Sequence, residues 1–145
     1  MYARVLLCYD GSREGRNALR QGADVVVAMK SSAYLLAICR SLVARSIPEG
    51  VTPELVRCED ERASALLEEG VRWLQERGVD AEGAVEYGNA VDTIADTAER
   101  IGADLIVLGH KNRGKLARWW STSDEESLLE RVNCSILVAE APEEA

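Results

Sequence analysis

Four stretches of the chain are apolar almost without interruption and too short for a typical helix: Arg4–Tyr9, Ala33–Cys39, Leu105–Leu108 and Cys134–Ala139. Such runs suit strands covered on both faces, because a strand with one wet face alternates apolar and polar residues. A fifth stretch, Ala81–Tyr87, does alternate, with Ala81, Gly83, Val85 and Tyr87 set against Glu82, Ala84 and Glu86. That pattern predicts a strand with one exposed face, nearer the edge of a sheet.

Between these runs the apolar positions change to helical spacing. Ala18, Leu19, Ala23, Val26 and Val27 form one stripe behind Ser12, a candidate cap, and predict a helix to about Met29. Gly15 and Gly22 weaken it, so packing must hold it. Ala63, Leu66, Leu67, Gly70, Val71 and Leu74 make a second stripe over Glu59–Arg77, closed by Gly78. The third helix has Asn89 as its cap, Val91, Ile94, Ala95, Ala98 and Ile101 on one face, and Gly102 past its end. A fourth runs to about Val132 from Ser123-Asp124-Glu125-Glu126, a capping-box sequence. Pro48, Gly50 and Pro53 mark Arg40–Cys58 as a long loop, and Glu140–Ala145 reads as a polar tail after a single domain over residues 1–139.

The resulting order, βαβαβαβαβ, requires right-handed crossovers. The fold class is therefore α/β: a five-stranded parallel sheet with helices on both faces. With 145 residues and 47% apolar content the chain can bury about two-thirds of its unfolded surface without metals or disulfides. Its four cysteines, Cys8, Cys39, Cys58 and Cys134, lack ligand spacing or a CxxC pair and read as reduced thiols. The net charge of −8 excludes a nucleic-acid surface, since phosphate neutralisation needs a clustered excess of Lys and Arg. No apolar run is long enough for a signal peptide or a membrane span, and the expected location is the cytosol.

Open α/β sheets bind ligands beyond the carboxyl ends of their strands. In this sequence those ends carry Cys8–Ser12, Cys39–Ser41, Tyr87–Asn89 and Gly109–Gly114. The segment Ala103–Ser123, ADLIVLGHKNRGKLARWWSTS, has a strand emptying through a glycine into a basic loop and then a helix start, the usual setting for an anion. Lys111, Arg113 and Lys115 crowd that loop, and a solvated basic loop balancing the acidic helix start is the competing reading. Templates for catalysis are missing: there is no GxSxG, GxxxxGK[ST], GxGxxG or HExxH, His110 has no evident partner, and Asp10 stands without the further acids of a phospho-receiver site. Trp119 and Trp120 with Leu116 predict apolar packing, one of the pair being free to meet a protein partner.

YDGS after the first strand, Gly88 ahead of the third helix, and ADLIVLGHKNRG…STSDEESLLERVNCSILV at the end together resemble the universal stress protein family over nearly the whole chain. The resemblance implies an adenine-nucleotide-hydrolase-like fold and a homodimer formed through the last strand, here Ser135, Ile136, Leu137 and Val138. Members that bind ATP carry the loop G-x2-G-x9-G-[ST], whose glycines admit phosphates close to backbone N–H groups. Gly109 and Ser123 match it, whereas Asn112 and Thr122 replace its two inner glycines. Asp10 and Ile38 match adenine and ribose contacts, with Leu108 beside Gly109. The candidate nucleotide pocket is thus Asp10, Ile38, Leu108, Gly109, Lys111, Asn112, Arg113 and Ser123.

A β-branched Thr122 is poorly suited to positive φ, and Asp124, Glu125 and Glu126 put negative charge where a triphosphate would sit. The expectation is therefore a stress-response binding or signalling protein, not an enzyme, with no resident cofactor and no tight hold on ATP. The alternative is an ATP- or AMP-binding switch using a rearranged Gly109–Ser123 loop.

Overall fold

The computed structural model describes residues 2–9, 13–39, 53–110 and 122–140. They form β1 (Arg4–Tyr9), α1 (Arg13–Met29), β2 (Ser32–Cys39), α2 (Pro53–Glu76), β3 (Asp80–Tyr87), α3 (Ala90–Ile101), β4 (Leu105–His110), α4 (Thr122–Arg131) and β5 (Ser135–Glu140). All pairings are parallel and the strand order is β3-β2-β1-β4-β5. The chain winds outward from β1 to β3, returns to the other side of β1, and winds outward again to β5.

That reversal puts helices on opposite faces. Leu19, Ala23 and Val26 of α1 and Leu74 of α2 pack with Val5, Leu7, Leu35, Leu105 and Val107. On the other face, Val91, Ile94, Ala95 and Ala98 of α3 and Leu128 of α4 pack with Leu6, Leu36, Ile106 and Leu108. Successive residues of each inner strand therefore enter different cores, which is why their sequences do not alternate.

Two glycines are dictated by close approach. At Gly22, α1 lies so near the sheet that an added Cβ would come within 2.4 Å of Leu7 Cδ2. At Gly83 an added Cβ would meet the Leu35 carbonyl oxygen of β2 at 2.3 Å. Gly22 thus weakens α1 locally while permitting the contact that holds it.

The ends of α3 form as its sequence predicts. The Asn89 side chain accepts from Asp92 N at 3.2 Å, and Gly102, at φ 69, closes the helix by donating to the carbonyls of Ala98 and Glu99. Gly78 likewise takes positive φ after α2, and β3 lies at a sheet edge.

Five expectations are corrected. The second helix begins at Pro53, inside the stretch read as a loop; proline is suited to a first helical turn because its missing N–H would have no partner there. Val27 is 52% exposed, and the buried apolar side chains among the described ones of α1 are Leu19, Ala23 and Val26. α4 starts at Thr122, which places Ser123 inside its first turn and not at its cap. β5 extends through Glu140, one residue into the expected tail. The alternation of β3 holds for Asp80, Ala81 and Glu82 and then gives way to half-buried residues as far as Glu86. Ser12, Pro48, Trp119 and Trp120 lie outside the described residues.

Candidate functional site

The candidate site follows from where the sheet ladders stop. β1 keeps to β2 as far as Tyr9 opposite Ala37, and β4 keeps to β5 as far as His110 opposite Glu140. Between β1 and β4 the pairing runs only from Val5–Leu105 to Leu7–Val107. The two central strands therefore part at their carboxyl ends, where the strand order reverses. In a parallel sheet this is where a ligand gains access to backbone groups that no ladder uses.

Ile38 lies on β2, on the far side of β1 from that parting, and Leu108 borders it from β4. Both side chains are buried, at 6% and 1% exposure, in the core shared with α3 and α4. Their registers set Ile38 opposite Glu86 and Leu108 opposite Val138. The structure brings these two residues and Gly109 to one end of the sheet, followed in sequence by the first turn of α4 with Ser123. Asp10, Lys111, Asn112 and Arg113 lie outside the described residues.

The start of α4 bears directly on anion chemistry. Thr122 is its first residue and therefore has right-handed helical backbone; among the described residues, the non-glycine residue with positive φ is Lys30. Thr122, which stands at the third glycine position of the resembled loop sequence, is thus the first residue of α4. At the neighbouring end of β3, Gly88 has φ 136 and leads into α3, whose amide at Asp92 is already satisfied by Asn89.

Cys8 lies at the edge of the same region. It faces Leu36 across the β1–β2 ladder, three positions short of Cys39. Burial pushes its thiol pKa far up, so Cys8 is a packing group and a poor nucleophile. Burial, and secondarily the Asp104 carboxylate, also raise the Cys134 thiol. Among the described residues no cluster of His, Cys, Asp and Glu is placed to hold a metal, and no helix is long and apolar enough to cross a membrane.

Two polar arrangements escaped the sequence reading. At the opposite end of the sheet, Asp104 accepts from Ala3 N at 2.8 Å and Arg4 N at 3.0 Å, tying the start of β4 to that of β1. Arg131 in the last turn of α4 bonds to Asp92 and Asp96 of α3. Neither has a motif; the only signal is an acid before an apolar run, or acids four apart on a helix.

The profile of the universal stress protein family matches residues 1–140. The chain belongs to the universal stress protein family. The universal stress protein Sll1654 of Synechocystis is 30% identical over 95% of this chain and 85% of its own. A family protein from Burkholderia pseudomallei has the same fold, with a TM-score of 0.76 at 22% identity, covering 97% of each chain. Two further solved relatives hold nucleotides. A universal stress protein in complex with cAMP has a TM-score of 0.68 at 20% identity, covering 94% of this chain and 96% of its own. A family protein of Arabidopsis thaliana with AMP bound has a TM-score of 0.66 at 18% identity, covering 97% and 92%. The five-stranded parallel architecture is thus the family's, and the expected fold class is borne out.

Proposed function

We propose that this universal stress protein is a cytosolic binding and signalling protein, without catalytic activity, whose crevice between β1 and β4 takes an adenine nucleotide bearing a single phosphate and gains little from a triphosphate. The observation that carries this reading is Thr122 as the first residue of α4, a β-branched side chain where the resembled ATP loop has a glycine that lets phosphate approach the backbone. In this reading the nucleoside part would enter where the β1–β4 pairing stops after Leu7–Val107, beside Leu108 and Gly109 of β4. Two relatives of the same fold hold AMP and cAMP, each a monophosphate. Dimerisation through Ser135–Val138 belongs to the same proposal, since β5 ends the sheet with an edge that carries no charge before Glu140.

The test is thermal unfolding with adenosine, AMP and magnesium ATP. A ligand at a hundred times its Kd adds about 2.7 kcal/mol, roughly 5–10 °C for a chain of this size. AMP is expected to raise Tm clearly at millimolar concentration, and ATP to raise it no further. A distinctly larger shift with ATP, lost on substituting Lys111 and Arg113 by Ala, would establish the rearranged-loop switch instead.

A further inference from the structure

α1 and α2 pack on the same face of the sheet, and each ends just before the start of a strand, so their last turns lie at its amino end. Between them runs a groove of about 380 Å³, lined by Ala23, Asp24, Val27 and Ala28 from α1 and by Arg77 from the end of α2. It is remote from the crevice at the carboxyl ends. Its α1 bank is largely apolar, and Val27, which the helical period assigns to the core, is 52% exposed there.

The two charges of the groove stand on different helices. Arg77 is held in place: its Cζ lies 3.5 Å from the centre of the Trp73 ring, and its Nη1 donates to the Trp73 carbonyl at 3.0 Å. A guanidinium has five N–H donors, and this bond commits one of them. Asp24 is exposed and has no ion-pair partner among the described residues.

An apolar strip with an acid on one bank and a base on the other is complementary to itself. A two-fold axis along the groove lays the α1 bank of one copy on the α2 bank of a second, so Asp24 meets Arg77 twice and each Val27 is covered. A partner carrying a single charge would leave either Asp24 or Arg77 unanswered. We propose that the α1–α2 groove is a self-association surface, on which two copies of this chain pair through reciprocal Asp24–Arg77 contacts over Val27. The pairing is independent of nucleotide and of the β5 edge. A stable interface takes about 20–30 residues from each side, and this groove supplies five at its centre, so the contact is weak, with Kd in the range of roughly hundreds of micromolar.

The experiment is sedimentation equilibrium from about 10 μM to 1 mM on Val138→Lys, which removes pairing through β5, alone and combined with Asp24→Arg, Arg77→Glu or both. Val138→Lys is expected to be monomeric at the low end and to dimerise towards the high end. Asp24→Arg and Arg77→Glu should each weaken that dimer about tenfold, because every substitution acts at two symmetric pairs. The double exchange should restore it to within about threefold, and an equimolar mixture of the two single variants should associate where neither does alone. Asp24 and Arg77 are exposed, and Asp24→Arg leaves the Trp73 stack intact, so the outcome does not hinge on folding. If Val138→Lys still dimerises at 10 μM, the same charge variants decide whether this groove is the contact. A chain monomeric to 1 mM, association indifferent to both charges, or a mixture no tighter than its components would overturn the proposal.

Discussion

The two edges of the sheet pose the same physical problem and carry opposite chemistry. Each leaves one side of a strand's backbone groups without a ladder partner in the chain, an invitation to pair with another strand. β3 meets it with acids: Asp80, Glu82 and Glu86 lie along the strand, Glu82 paired to Arg4 at 2.9 Å and Glu86 to Arg100 at 3.9 Å. β5 reads SILVAE, has no charge before Glu140, and leaves Val138 40% exposed. Two copies of β3 side by side would bring carboxylates together, whereas two copies of β5 would bring apolar side chains together. The lesson is that a sheet can nominate its interface by leaving one edge undefended.

The strongest way to break this contrast is to defend β5 as β3 is defended. Val138→Lys puts a charge into the proposed dimer contact at a position already partly exposed, so the fold should survive. The wild-type chain is expected to sediment as a dimer at micromolar concentration and Val138→Lys as a folded monomer. A variant that stays dimeric would show that β5 is not the interface.

The next effect concerns how firmly each edge is built. Gly83 on β3 has no room for a methyl group, because the obstacle is the Leu35 carbonyl and backbone cannot move aside as a side-chain tip can. Gly83→Ala is expected to cost about 1–3 kcal/mol, read as a fall in Tm of several degrees. A neutral outcome would mean that β3 shifts freely on β2, and its edge would then be loosely held as well as charged.

At the amino ends of the strands, the β5 side is held through backbone. Ser135 N donates to the Asp104 carbonyl at 3.3 Å, and the Asp104 carboxylate holds the amides of Ala3 and Arg4. Asp104→Ala leaves those two amides without their acceptor and is expected to cost about 1–3 kcal/mol in denaturant unfolding. A loss below about 0.5 kcal/mol would show that water replaces the carboxylate and that this anchor is weak.

These residues also mark what could be read from the sequence. The fold was legible because buried parallel strands and amphipathic helices each leave a period, and the acids of Ala81–Tyr87 marked an edge strand. Pro53 misled because a proline reads alike as a breaker and as a first helical residue. Thr122 was legible as a departure from the family loop, but not as helix. Asp104 and Arg131 were invisible, since their partners lie 101 and 39 residues away and only the fold brings them together. The parting of β1 from β4 leaves no trace in composition, being a matter of register.

The smallest stability effect gives the sharpest test of what the β3 acids do. The Arg4–Glu82 pair is solvent-exposed, with Glu82 at 67%, so Glu82→Gln should cost no more than about 0.5 kcal/mol at low salt. Even that should fade near 1 M salt, where screening acts within about 3 Å. If these carboxylates served stability, removing them would be felt in Tm. If they serve to repel a second strand, Glu82→Val with Glu86→Val should leave Tm within a degree or two and yet add a concentration-dependent association that Val138→Lys does not suppress. Sedimentation of the triple variant decides between the two: a monomer would show that β3 is protected by something other than its charge.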